Sequence, residues 1–141
     1  MMRLRPVDEV DDEGSVLLLT LGYAILALVL VLVCVDATSL YLTQKRADAA
    51  ADAAALAGAD GFTLTLDAGA ATAVLTDGGV RAQATELLDT LGTATLVAAS
   101  TPDGVSARVT VEAVWHPPVL TLFVPDGWTV RSTATSRTAL R

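Results

Sequence analysis

The sequence has one cysteine, one histidine and few aromatic residues, which make up 4% of its 141 positions. A single cysteine excludes an internal disulfide framework and any CxxC metal or redox site. A single histidine excludes a His-rich metal cluster and leaves few routes to acid–base catalysis near neutral pH. Basic residues are also scarce: Lys and Arg number 9 against 16 Asp and Glu, for a net charge of -7. Nucleic-acid binding needs a basic face to displace counterions, so no nucleic-acid partner is expected. Asp77-Gly78-Gly79 is not a phosphate loop, because no Lys-Ser/Thr order follows it. No nucleophile is paired with a base. The sequence therefore points to a non-enzymatic protein with no catalytic residue, no cofactor and no metal.

What the sequence has in excess is Ala, Leu and Val, within a hydrophobic share of 52%. The excess is concentrated early. Ser15–Val35 carries no charge. At a helical rise of about 1.5 Å per residue it reaches across a bilayer core. Too little chain follows, and that chain is too rich in alanine, to bury such a helix in water. A transmembrane helix over residues 15–35 is predicted, with the lipid bilayer as its first partner. A cleaved secretory signal would carry a basic start and a shorter apolar core. Here the start holds Asp8, Glu9, Asp11, Asp12 and Glu13 beside Arg3 and Arg5. Charge encodes orientation weakly, since Lys45 and Arg46 balance the two arginines of the leader. A short leader (residues 1–14) is easily retained in the cytoplasm, which places the C-terminal part outside.

Residues 36–61 hold no proline, and nine of the thirteen positions from Ala47 to Ala59 are alanine, the best helix former. The helix is expected to run unbroken from the membrane into this stalk, from Ser15 to Ala57, and to stop at Asp60-Gly61. Leu40, Ala47, Ala51, Ala54 and Gly58 recur at helical spacing and make a narrow face of small side chains, which lets another backbone approach closely. The plain alternative is alanine as composition and helix propensity alone. Tyr41 reads as an interfacial anchor at headgroup level.

The order of these features is specific. A charged leader ends in Asp-Glu-Gly-Ser, an apolar span follows, then Val-Asp, a Leu-Tyr-Leu step, Gln-Lys-Arg, and the tract AADAAALAGA at Ala50–Ala59. Over residues 12–60 this resembles the N-terminal region of TadG-like and TadE-like proteins of the Flp (tight adherence, Tad) pilus-assembly system, with Gly14, Ser15, Asp36, Tyr41 and Arg46 at matching positions. The resemblance implies a bitopic membrane protein with a cytoplasmic leader and an extracytoplasmic C-terminal region, no catalytic role, and other pilus-assembly proteins or further copies of itself as partners. The interaction face it implies comprises Asp36, Leu40, Tyr41, Arg46, Ala47, Ala51, Ala54 and Gly58. It also raises an alternative: a minor pilin processed after Gly14, with Ser15 as the new first residue. Processed pilins carry a glutamate at the fifth mature position, where this chain has Leu19, so the uncleaved branch is favoured.

Residues 62–141 change character. Phe62–Leu66 alternates as a short strand, and Asp77-Gly78-Gly79 reads as a turn. Val80, Ala84, Leu87, Leu88 and Leu91 form one helical stripe ending at Gly92. Thr95–Ala99 and Val105–Trp115 form a hairpin around Pro102-Asp103-Gly104, with Val105, Ala107, Val109, Val111 and Ala113 on the buried face. Thr129–Thr138 completes a meander. The fold class is α+β: a long helix, then a small domain of one short helix and a three- to four-stranded antiparallel sheet, pilin-like in layout only. Of the remaining residues, Cys34 reads as a small packing residue, and Asp48 with Asp52 as a solvated helix face. Trp115 and Trp128 flank the apolar run Val119–Val124. They are expected to pack within the domain, with a patch for a partner or a membrane as the alternative.

Overall fold

A computed structural model describes residues 10–67 and 70–137. The first nine residues of the leader expected over 1–14, and the end of the last strand after Arg137, lie outside these residues.

A single helix, α1 (Val10–Asp60), runs for 51 residues, about 76 Å. It starts earlier and ends later than Ser15–Ala57, because nothing breaks it before Gly61, whose N–H turns back onto the carbonyl of Gly58 at 3.2 Å. Its first half is long and apolar enough to cross a membrane, with a mean hydropathy of 2.9 over its most apolar stretch and none of that stretch buried against the protein. Cys34 lies here and is exposed rather than packed against its own chain.

Beyond Gly61 a hairpin of β1 (Thr63–Asp67) and β2 (Ala70–Val74) precedes helix α2 (Asp77–Leu91). The second strand lies in the Gly/Ala-rich stretch, whose composition masks it. Asp77-Gly78-Gly79 is the first turn of α2 and not a reverse turn. The Thr76 hydroxyl accepts the Gly79 N–H at 3.1 Å and caps the helix, and an N-cap threonine favours helix over turn. Gly92, left-handed at φ 62°, closes α2 as expected.

The remaining strands are β3 (Thr95–Ser100), β4 (Ser106–Trp115) and β5 (Trp128–Arg137). They form an antiparallel sheet in the order β3-β4-β5, with Trp115 opposite Trp128 and Ser106 opposite Arg137. The Val119–Val124 run adds no strand; Phe123 and Val124 donate their N–H groups back to the Leu120 carbonyl in tight turns. Ala107, Val109 and Val111 are buried as expected, whereas Val105 is exposed. It precedes the strand, in a turn where the Asp103 carboxylate accepts the N–H groups of Val105 and Ser106.

The core is where α1 meets the sheet and α2. Ala50, Ala51, Ala54, Ala55 and Ala59 are buried with Val80, Ala84, Leu88, Ala107, Val109 and Val111. The second half of α1 is therefore an integral part of the folded unit, and the C-terminal residues find on it the apolar surface that so short a segment lacks alone.

Candidate functional site

The stretch of α1 just past the apolar span carries most of the residues singled out by the sequence. Antiparallel strands β4 and β5 lie along it in a defined axial register. The Trp115 indole N–H donates to Ser39 Oγ at 3.1 Å, and Ser132 Oγ donates to Asp48 Oδ1 at 2.8 Å. Further along, a methyl placed on Gly58 would stand 3.4 Å from Ala107 Cβ and 2.9 Å from Val80 Cγ1. The Trp115/Trp128 end of the sheet therefore sits beside the apolar end of α1, and the Ser106 end sits beside the helix terminus.

Asp36 immediately follows the apolar run. It is only 5% exposed, and its Oδ1 accepts the Val119 N–H at 3.1 Å, which ties the β4–β5 connection to the helix. Its Oδ2 is also buried and has no hydrogen-bond partner among the described residues. Asp48 is the second polar tie. Ser132 is the main cause of a carboxyl held below its ordinary range, with the Gln44 amide and the Lys45 ammonium adding to it. Lys45 Nζ lies 3.2 Å from Asp48 Oδ2 and 5.8 Å from the Tyr41 ring centre. Asp48 is thus half-buried, with Ser132 of β5 against it, while Asp52, one turn further along the same face, is exposed.

The expected interaction residues divide in two. Ala47, Ala51, Ala54 and Gly58 are buried, and the close approach that a small-residue face permits is made by this chain's own residues. Asp36 is buried and Leu40 half-buried, while Tyr41 and Arg46 point outward. Gly14 and Ser15 are helical and exposed near the start of α1. The ties made by Ser39, Trp115, Val119 and Ser132 escaped sequence reasoning. Each is one contact across 76 to 84 residues of chain, and only the position of Asp36 at the end of an apolar run hinted at such a tie.

The two tryptophans part company. Trp115 is half-buried within the fold as expected, and hydrogen-bonded to Ser39, but Trp128 is 65% exposed, and Leu122 and Phe123 are exposed by 92% and 81%. Packing within the domain does not account for this loop. Among the described residues no group of His, Cys, Asp and Glu is placed to hold a metal.

Residues 14–61 match the model of the Tad family, described as "Putative Flp pilus-assembly TadE/G-like". The matched stretch is about a third of the chain and coincides with α1, taking in both the apolar span and the alanine tract. Neither the curated proteins nor the solved structures match the chain.

Proposed function

We propose that the chain is a non-enzymatic, single-pass membrane protein of the Tad/Flp pilus-biogenesis or secretion apparatus. Its N-terminus is cytoplasmic, residues 15–35 span the membrane, and the folded part outside presents a surface to other assembly components. One observation carries the reading: the family match covers a single uninterrupted helix that is apolar at one end and buried in the fold at the other. That helix joins an anchor to an exposed domain without a flexible linker.

The alanine face is occupied within the chain, so the surface left for partners on the stalk is its outer side, with Tyr41 and Arg46. Tyrosine and arginine are the residue types that most often dominate contact energies. Tyr41→Ala combined with Arg46→Ala is expected to leave the protein folded and membrane-bound while abolishing pilus assembly in the native host. Normal piliation in the double variant would remove this surface from the reading. The intact mass of the protein extracted from its native membrane tests the anchor itself. The mass of the whole chain is expected; a mass of residues 15–141 would make it a processed fibre subunit instead.

A further inference from the structure

The β4–β5 connection, residues 116–127, is held at the membrane end of the fold. Trp115 meets Ser39 and Val119 meets Asp36, and Asp36 directly follows the last residue of the apolar span. The loop therefore emerges level with the point where α1 leaves the hydrocarbon, and it carries Leu122 and Phe123 almost fully exposed, with Trp128 beside them.

We propose that this loop is a second membrane contact, in which Leu122, Phe123 and Trp128 insert into the outer headgroup boundary beside α1. The proposal rests on the reading of residues 15–35 as a membrane span. Three properties of the loop fit a lipid surface. Its side chains are apolar from Val119 to Val124 apart from one threonine, and tryptophan at its edge is a residue favoured at the interface. Its backbone is satisfied in part: Pro117, Pro118 and Pro125 have no N–H, and four of the nine remaining N–H groups, those of Val119, Phe123, Val124 and Gly127, are bonded within the chain, which leaves the others for the hydrated headgroup boundary rather than the hydrocarbon. The Thr121 hydroxyl likewise donates to the Pro117 carbonyl at 3.0 Å. Unsatisfied backbone groups are what normally keep loops out of lipid. Finally, Asp126 is the loop's one acidic residue and it has no lysine or arginine, so the contact is apolar in origin and indifferent to anionic lipid. Without the loop, a single helix leaves a protein free to spin about the membrane normal and to tilt. With it, two contacts on one side of the domain set which face meets the bilayer.

The test uses the whole chain with Cys34→Ser, reconstituted at high dilution in phosphatidylcholine vesicles and labelled with an environment-sensitive fluorophore at one introduced cysteine. Phe123→Cys reports the loop, and Leu122→Cys repeats it at a neighbouring exposed position. Leu26→Cys reports the span, and Val105→Cys reports the far end of the domain. The loop labels are expected to emit at shorter wavelength than the Val105 label. Lipids brominated on their acyl chains should quench them and aqueous iodide should not, with no change when phosphatidylglycerol is added. Iodide quenching of both loop labels, with Leu26 quenched only by brominated lipid, overturns the proposal and leaves the anchor standing. Loop labels shielded from iodide yet untouched by brominated lipid are covered by a second copy, which also overturns it. Iodide quenching at Leu26 removes the membrane reading and the proposal together.

Discussion

Gly61 and Gly79 meet backbone to backbone at the point where α1 ends and α2 begins. A methyl added to Gly79 would lie 2.7 Å from the Gly61 carbonyl oxygen, and one added to Gly61 would lie 3.0 Å from that of Gly79. The adjacent Gly78 has nothing within 4 Å of where its methyl would go. Both Gly78 and Gly79 are in the first turn of α2, where alanine is ordinarily better than glycine by up to about 1 kcal/mol. Gly79→Ala is nevertheless expected to destabilise by about 1–3 kcal/mol, since the atom in the way is backbone. Gly78→Ala is expected to be neutral or stabilising. Thermal melts of the two variants in detergent, followed by circular dichroism, check the opposite signs.

The seam between α1 and the rest of the core is equally tight. Ala54 is fully buried while Ala49, on the same helix, is exposed. Ala54→Leu is expected to cost about 1–3 kcal/mol from overpacking, and Ala49→Leu to stay within about 0.5 kcal/mol of the parent. Equal melting temperatures for the two leucine variants would mean that the helix does not pack against the sheet as described.

Asp36 holds the β4–β5 loop through one acceptor oxygen. Asp36→Ala leaves the Val119 N–H without its partner, and a buried donor so left costs about 1–3 kcal/mol. The loop is expected to be cut by protease faster than in the parent, measured by limited proteolysis in detergent. Asp36→Asn retains a carbonyl oxygen at that position and is expected to resist cleavage more than the alanine variant.

Asp48 links stability to pH. Its carboxyl is held below the ordinary 3.8 by the Ser132 hydroxyl first, then by Gln44 and Lys45. A group with a depressed folded-state value stabilises above its unfolded value, and the benefit is lost as pH falls through the folded one. Asp103 is lowered in the same direction, chiefly by the Ser106 hydroxyl. Stability is therefore expected to fall below about pH 4. Asp48 is partly open to solvent, so its share is expected to stay under about 1 kcal/mol. Ser132→Ala should lower the neutral plateau by under about 1 kcal/mol and so flatten the fall of a denaturation series between pH 5 and pH 2, with the two proteins converging at the acid end.

The helices and the meander were legible because their signals are local. An uncharged apolar run, an alanine tract without proline, a stripe ending at Gly92 and an alternating Ala107–Val111 segment each declare themselves within a few residues. The β2 strand was hidden because alanine and glycine carry weak strand preference, and its pairing with β1 compensates for that. Asp77-Gly78-Gly79 has the composition of a turn, and it is the Thr76 hydroxyl, capping α2, that makes it a first helical turn instead. The face of Ala47, Ala51, Ala54 and Gly58 was evident as a surface for close approach, but periodicity is silent about what approaches; the answer is a sheet encoded some fifty residues later. Asp48 looked solvated for the same reason, since Ser132 lies 84 residues away. Long-range ties of this kind leave no local trace.

The continuity of α1 has a mechanical meaning. Between Gly22 and Gly58 it has no glycine or proline at which to bend, and its last part is clamped in the core by the alanine seam and by Ser132. With residues 15–35 in a membrane, as proposed above, it acts as a lever arm whose fulcrum is the bilayer. From Asp36 to Asp60 the arm is about 37 Å long, so a tilt of about 20°, ordinary for a membrane helix, carries its far end sideways by roughly 13 Å. Torque applied to the folded end would reach the apolar end of the helix as rotation, and displacement of the apolar end would swing the folded part.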